Sequence, residues 1–194
     1  MKGIELLKKL QKMNNLFYTL ADLEKITALP RNSLYVALKR WVAAGIIERV
    51  AQGIYLPMGS VISIENIAAQ LYIPNYLSFE SALSRYGILS LIPYTLTFAT
   101  TRKTKKYILQ KQEIEFRQID RRLFFGFEMK NGIYIALPEK AFLDEVYFAA
   151  RGKAVLDLDE LDMKKLSPKK LKECSKRFPR YVQTRLNEMM YLVN

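Results

Sequence analysis

Residues 19–57 read TLADLEKITALPRNSLYVALKRWVAAGIIERVAQGIYLP, and the signals in this segment predict the fold of the first part of the chain. Thr19, followed three residues later by Asp22, is typical of a capped helix start. Pro30 ends this helix, because the residue before a proline is displaced from helical geometry, and it is itself suited to begin another. Apolar residues at helical spacing predict a second helix over 31–44, so a tight turn joins two helices.

A β-hairpin follows the second helix without a gap. Gly45 ends the helix in the manner of a left-handed cap, and residues 46–50 and 54–56 alternate in polarity around Ala51-Gln52-Gly53. Helix, turn, helix and hairpin in this order, after a first helix of leucines and lysines, make up a winged helix-turn-helix. We therefore predict that residues 1–57 form a winged helix-turn-helix DNA-binding domain.

The second helix of this motif would enter the major groove of DNA, with the hairpin as the wing. Arg and Lys suit guanine edges or phosphates, Asn suits adenine or phosphate, and Ser and Tyr suit the sugar-phosphate backbone. The predicted DNA-binding residues are Arg31, Asn32, Ser33, Tyr35, Lys39 and Arg40 on the helix, and Arg49 and Gln52 near the tip of the wing. The same fold can also bind proteins, so DNA binding is a prediction from fold to function.

The charge of the chain favours a nucleic acid as partner. The 194 residues include 31 Lys and Arg against 19 Asp and Glu, which gives a net charge of +12. A strongly basic protein attracts polyanions. Because one winged helix buries little surface and symmetric operators are read by two copies, we expect operator DNA with an inverted repeat, bound by monomers or a weak dimer.

The composition argues against an enzyme. The chain has no histidine, which excludes Ser-His and Cys-His couples, imidazole bases and histidine metal sites. The 8 glycines form none of the loops that cradle phosphates, and the single cysteine, Cys174, excludes an intramolecular disulfide and a multi-cysteine zinc site. We expect no catalytic residues, no cofactor and no metal, and a structural thiol at Cys174.

Membrane insertion is not indicated. The sequence contains no run of about 18 uncharged apolar residues, and its first residues alternate lysine with leucine. We therefore expect no membrane partner and a cytoplasmic location.

Residues 58–194 predict a second domain. Its boundary falls at residues 57–60, Pro-Met-Gly-Ser, which are turn residues without periodicity. Two helical patterns come first, several strand patterns follow, and a helix then begins at Pro138; Ser167-Pro168 and Pro179 begin two C-terminal helices. The predicted fold class is α+β, with an N-terminal winged helix-turn-helix followed by a mixed α+β domain and a C-terminal helical segment.

Three phrases of the second domain resemble a known family. YLSFESALSRYGIL (76–89), FATTRKTKKY (98–107) and GIYIALPEKAFLDEVYF (132–148) occur in the order and spacing of AbiEi-type antitoxins of type IV toxin-antitoxin systems, where a winged helix also precedes them. The resemblance covers about residues 5–190. It implies an abortive-infection antitoxin whose N-terminal domain represses its own operon. Its second domain would counteract a nucleotidyltransferase-like toxin, without forming a stable complex with it.

The polar residues of the first phrase have two interpretations. Glu80, Ser81 and Arg85 could form an exposed polar site. Alternatively, Glu80 and Ser81 stabilise the first turn of a helix that Ser78 caps. We favour the structural interpretation.

Two groups of basic residues form a possible second cationic surface. The loop at 100–106 is rich in hydroxyl and basic groups and suits phosphate or RNA, although a solvated charge run is an alternative. Residues 163–185 carry nine Lys or Arg against one Glu; they could extend DNA contact, bind a tRNA that the toxin modifies, or only solvate the chain. The residues predicted for antitoxicity or a second basic surface are Arg102, Lys103, Lys105, Lys106, Lys164, Lys165, Lys169, Lys170, Lys176 and Arg177.

The leading prediction is a DNA-binding transcriptional autorepressor and antitoxin. A rival is a kinase- or phosphatase-like enzyme that modifies the toxin through Glu80, Arg85, Lys140 and Asp144. Against it, Lys140 and Asp144 are four residues apart and can simply pair on the surface of a helix. A third alternative is a plain winged-helix regulator with an effector-binding domain.

Overall fold

The computed structural model describes residues 2–193, and the side chains of residues 2–190. The chain divides into two compact units, Met1–Ile67 with Ile108–Lys111, and Ala68–Tyr107 with Gln112–Asn194. Both helices and strands are present, which confirms the α+β class.

The elements follow one another in short segments. The helices are α1 (Gly3–Met13), α2 (Leu20–Thr27), α3 (Arg31–Ala43), α4 (Ile64–Leu71), α5 (Phe79–Arg85), α6 (Pro138–Ala149), α7 (Pro168–Ser175) and α8 (Arg180–Val193). The strands are β1 (Tyr18–Thr19), β2 (Ile47–Ala51), β3 (Ile54–Pro57), β4 (Asn75–Leu77), β5 (Thr95–Thr100), β6 (Lys105–Leu109), β7 (Gln112–Gln118), β8 (Phe127–Lys130) and β9 (Ile133–Ala136). Short 3-10 turns lie at Arg121–Leu123 and Met163–Lys165.

The helices of the first unit begin and end as the sequence predicts. The Thr19 hydroxyl accepts a 3.2 Å hydrogen bond from the Asp22 amide, and the Asp22 carboxylate accepts one of 2.9 Å from the Thr19 amide. This capping box satisfies two amide donors at the start of α2. Helix α3 then begins directly after Pro30.

A three-stranded antiparallel sheet completes the first unit, in the order β1-β3-β2. Its β2-β3 hairpin turns at Gly53, whose φ of +73° favours glycine. The Leu20 amide donates to the Gly53 carbonyl at 3.0 Å and so ties the hairpin turn to the start of α2. The core beneath combines side chains from the helices and the hairpin, including Leu6, Leu10, Tyr18, Leu23, Leu34, Leu38, Trp41, Ile47 and Tyr55.

The second unit is built on a six-stranded mixed sheet in the order β6-β7-β5-β4-β9-β8. Strand β4 runs antiparallel to β5 and parallel to β9, and β5 runs parallel to β7. Helices α5, α7 and α8 all pack against α6. Helix α6 is therefore the centre of this unit.

Helix α6 is buried around its whole circumference from Glu139 to Phe148. Lys140 is 1% exposed and Asp144 is fully buried. The prediction that these two residues pair on the helix surface is therefore wrong about the surface, although the pair itself forms. Four-residue spacing predicts contact within a helix, but it carries no information on what covers the helix.

Candidate nucleic-acid interface

The N-terminal unit has an open groove between α3 and the β2-β3 hairpin, with a volume of about 530 Å³. Five of the eight predicted DNA-binding residues line it, namely Arg31, Tyr35, Lys39, Arg49 and Gln52. Its remaining walls are Leu20, Leu38, Val42, Ala43, Gly53 and Tyr55. Three cations line this groove, and no Asp or Glu is among the described residues that do so.

The core of the unit fixes which side of α3 faces the groove. Leu34, Ala37, Leu38 and Trp41 are buried, at helical spacing, against the other helices and the hairpin. Because an α-helix completes one turn every 3.6 residues, this spacing leaves Arg31, Tyr35 and Lys39 on an exposed side. The predicted apolar side is confirmed for the four buried residues, whereas Val42, which the same spacing places with them, is 38% exposed and lines the groove.

Two contacts organise the cations within the groove. The Tyr35 side chain, one turn along α3, and the Glu24 carboxylate raise the pKa of the Arg31 guanidinium. The Arg49 Nε donates to the Ala51 carbonyl at 3.4 Å, beside the register shift that interrupts β2 between these residues. A bulge of this kind re-aims a side chain at the edge of a sheet. Arg31 and Arg49 thus approach the groove from opposite walls.

The remaining three predicted residues lie outside this groove. Asn32 and Ser33 are exposed on the first turn of α3. Arg40 is also exposed, but it lines a separate depression with Lys2 and Trp41. Val42 and Tyr55 form apolar walls of the groove. They were not predicted as site residues, because apolar residues spaced like those of the core indicate only packing.

In the loop that follows β5, some of the charged side chains bind other residues of the chain. Arg102 lies with its guanidinium carbon 4.1 Å from the ring centre of Tyr72, and it donates a hydrogen bond to the Ile73 carbonyl. Lys106 forms ion pairs with Glu113 and Glu115 at 3.3 and 3.6 Å. The loop remains a cationic surface, because its four predicted residues are all exposed: Arg102, Lys103, Lys105 and Lys106. Arg102 and Lys106 are the two that make the contacts described above.

The basic residues predicted near the C-terminal helices are exposed as well: Lys164, Lys165, Lys169, Lys170, Lys176 and Arg177. Lys165 donates a 2.7 Å hydrogen bond to the Gly87 carbonyl, and the Arg177 guanidinium carbon lies 3.5 Å from the ring centre of Phe125. Ser167 caps α7 by accepting a hydrogen bond from the Lys170 amide, as its Ser-Pro sequence predicts.

A buried polar network joins two of the phrases that suggested a family. Asp144 accepts hydrogen bonds from the Tyr76 hydroxyl at 2.9 Å and the Ser78 hydroxyl at 2.8 Å, and it pairs with Lys140. The Lys140 ammonium also donates to the Tyr76 oxygen at 2.7 Å. Burial lowers the pKa of Lys140 and, with the neighbouring Asp144, raises that of Tyr76. All four side chains are buried, so the network lies in the core of the second unit.

The structure corrects the capping role predicted for Ser78. Ser78 precedes α5, but its side chain makes no capping bond, because its hydroxyl is bound to Asp144. Ser81 is buried and accepts a 2.8 Å hydrogen bond from the Thr97 amide, which anchors α5 to β5. The contacts of Ser81 thus support its structural interpretation. They lie in the core and do not stabilise the first turn of the helix as predicted.

A second polar cluster surrounds Glu145. Arg117 makes bidentate hydrogen bonds to Glu80, binds Glu115 at 2.9 Å, and lies 3.7 Å from the Glu145 carboxyl. Glu145 is 1% exposed, and its two oxygens accept no hydrogen bond from an N–H or O–H donor of the described residues. Burial and the nearby Glu80 raise the pKa of Glu145 to about 8. At neutral pH the protonated form of Glu145 is therefore favoured.

Cys174 is half-buried in α7. Burial raises the pKa of its thiol to about 11, against the opposing effect of Lys140. A thiol with this pKa is almost entirely protonated at neutral pH and is a poor nucleophile.

No protein-family model matches the chain, and no curated protein matches it. Within residues 2–193, no helix is both long and apolar enough to cross a membrane. The same described residues hold no group of three or more Cys, Asp or Glu placed to bind a metal ion.

Proposed function

We propose that the N-terminal unit is a winged helix-turn-helix that binds DNA, with α3 as the recognition helix and the β2-β3 hairpin as the wing. The observation that carries this proposal is the convergence of Arg31, Lys39 and Arg49 on one groove without an acidic residue among its described lining. Cations aimed from a helix and a hairpin toward one open surface fit the phosphates that flank a major groove.

The groove offers different chemistry along its length. Arg31 and Lys39 can bind guanine edges or phosphates, and Arg49 on the hairpin suits a phosphate. Gln52, exposed beside the turn of the hairpin, can bind a base edge or the backbone. Asn32 and Ser33, on the first turn of α3, lie where the leading end of a recognition helix approaches the bases.

DNA binding is tested by titrating the full chain against the region upstream of its own gene, with a scrambled fragment of equal length. Arg31→Ala with Lys39→Ala should weaken specific binding by at least tenfold, because it removes two cations from the groove. Lys8→Ala with Lys9→Ala removes the same charge from the exposed side of α1 and serves as the matched control. Equal loss in both double variants would mean that net charge alone drives the binding.

The salt dependence separates the two kinds of contact. The slope of log affinity against log salt should fall by about one for each phosphate contact that a variant loses. A base contact is expected to change the ratio of specific to scrambled binding instead. Binding that is equally tight to both fragments contradicts an operator-specific repressor.

We extend the proposal to an autorepressor and antitoxin of the AbiEi type, which counteracts a nucleotidyltransferase-like toxin. Its support is the resemblance of residues 76–89, 98–107 and 132–148, together with the network in which Tyr76 and Ser78 of the first phrase bind Asp144 of the third. Because this network is buried, antitoxic contacts would use exposed residues, of which the C-terminal lysines are the strongest candidates.

The antitoxin half is tested by growth rescue in cells that express a neighbouring toxin gene. Lys169→Ala with Lys170→Ala should impair rescue and leave operator binding unchanged, whereas Arg31→Ala with Lys39→Ala should do the reverse. Loss of both activities in each double variant would contradict two separable functions. The rival kinase-like enzyme predicts a mass increase of the toxin after incubation with the chain, ATP and Mg²⁺.

A further inference from the structure

The six-stranded sheet of the second unit ends in an open edge at β8. Strand β8 pairs with β9 on one side and is the last strand of the sheet on the other. Glu128, Met129 and Lys130 are exposed along it, and Met129 keeps 55% of its surface accessible. An exposed strand edge of this kind is a template for pairing with another strand.

The register of the β8-β9 hairpin determines which backbone groups face outward. Lys130 pairs with Ile133 across a two-residue turn, and residues that flank such a turn form a hydrogen-bonded pair. The even-numbered residues of β8 therefore direct their backbone groups toward β9. The 2.9 Å hydrogen bond from the Leu137 amide to the Gly126 carbonyl fits this pattern. The N–H and C=O groups of Phe127 and Met129 then point toward the open edge.

The sequence of β8 is complementary to itself when two copies run antiparallel. With Met129 opposite Met129 of a second copy, each Met129 can exchange two backbone hydrogen bonds with its counterpart. In this register Glu128 of one copy lies opposite Lys130 of the other, twice, on the same face of the sheet. Opposite charges at directly opposed positions stabilise strand pairing, and like charges oppose it.

The other face of the strand supplies apolar surface. Met129 is directly opposite Tyr134 in β9, and both side chains are exposed. Together with the exposed Ile73, they border a groove of about 350 Å³ whose wall also includes Phe127. A two-fold axis through Met129 would bring two copies of this apolar patch together, as an isologous interface requires.

We infer that the β8 edge is the site at which a second copy of this chain binds, forming a two-fold symmetric dimer through antiparallel β8 strands. Because the strand has four residues, the interface is small, and we expect a dissociation constant on the order of 10⁻⁵ M. In the single chain Lys130 binds Glu128 of its own strand at 2.6 Å, and in the dimer each would gain the partner's opposite charge as well.

The experiment is sedimentation equilibrium of the full chain without DNA over a range of concentrations. Glu128→Lys places four lysines at the two-fold axis, and Lys130→Glu places four glutamates there. Each should weaken the dimer by at least tenfold. The exchange Glu128→Lys with Lys130→Glu restores opposite charges across the axis and should recover the dimer. Glu173→Lys and Lys172→Glu, exposed on α7, are the controls of equal charge change and should leave the mass unchanged.

Two outcomes would overturn the inference. One is a monomer mass at every concentration up to about 200 µM, well above the expected dissociation constant. The other is a dimer that neither single reversal weakens, which would place the interface on another surface. Because no DNA is present, neither outcome depends on whether the N-terminal unit binds an operator.

Discussion

The Tyr76 hydroxyl donates a 2.9 Å hydrogen bond to Asp144, 68 positions further along the chain. This bond joins β4 to the buried helix α6, and the same carboxylate binds Ser78 and Lys140. A buried ion pair is costly to desolvate, but it is still costlier to break once formed. The polar centre of the second unit is therefore a point where single substitutions act strongly.

Removal of one charge from this pair should destabilise the chain more than removal of both. Asp144→Asn leaves the Lys140 ammonium buried without a counter-ion and should lower the free energy of unfolding by about 3 kcal/mol. The double variant Lys140→Met with Asp144→Leu eliminates both charges and should lose less. Urea denaturation measures both values; a double variant that loses more than Asp144→Asn would contradict the buried ion pair.

Glu145 should make stability fall as the pH rises. Its pKa of about 8 in the folded chain lies above its ordinary value, so the folded chain holds the proton more tightly than the unfolded chain. The stabilisation that this bound proton contributes to the folded chain is fully present below the ordinary carboxyl pKa. It decreases as the pH rises and is lost above about pH 8.

Glu145→Gln tests this dependence, because the amide keeps the shape and cannot ionise. The difference in free energy of unfolding, variant minus parent, should rise between pH 5 and pH 8, a range that lies between the ordinary carboxyl pKa and the shifted pKa of about 8. Glu80 and Arg117 face the same group and remain in both proteins, so their own titration largely cancels. A difference that is flat with pH would show that Glu145 is ionised throughout.

Cys174 should react slowly with thiol reagents in the folded chain. With a pKa of about 11, its thiolate fraction at neutral pH is far below that of an unperturbed cysteine, and partial burial limits access further. We expect alkylation by iodoacetamide to be at least ~10-fold slower than in the urea-unfolded chain. Equal rates in the two states would contradict the raised pKa.

Gly126 should tolerate a side chain less well than Gly152. Both have positive φ, +71° and +65°, so alanine strains the backbone at either position. A Cβ at Gly126 would also lie 3.2 Å from Lys140 Cγ, and the buried network leaves Lys140 little freedom to move. A Cβ at Gly152 meets no described atom within 4 Å.

The two alanine variants share the positive φ and differ in whether the new Cβ contacts Lys140. Gly152→Ala should cost about 1 kcal/mol, the backbone term alone. Gly126→Ala should cost about 2–3 kcal/mol, because overpacking adds to it. Urea denaturation of both variants measures the difference, and equal losses would show that Lys140 can shift.

Much of the N-terminal unit could be predicted from local signals. Thr19 with Asp22, Pro30 and Gly45 mark where helices begin and end, since caps and prolines act within a few residues of the chain. The helical spacing of Leu34, Leu38 and Trp41 likewise predicts which side of α3 is buried.

The groove itself depended on tertiary structure. Sequence patterns identified Arg31 and Arg49 as exposed cations, but only the packing of the hairpin against the helices places both on one groove and Arg40 on another surface. The direction of a side chain between two elements depends on how those elements pack, which local periodicity does not encode.

Local patterns in the sequence therefore predict the α+β class, the capped helices, the hairpin turn at Gly53 and the basic charge of the chain. The environment of residues that are distant in sequence depends instead on how the elements pack. This packing buried Lys140 and Asp144 in the centre of the second unit, diverted Ser78 from a helix cap to a core hydrogen bond, and raised the pKa of Glu145. The physical reason is that burial and electrostatics depend on neighbours in space, whereas propensity and capping depend on neighbours in the chain.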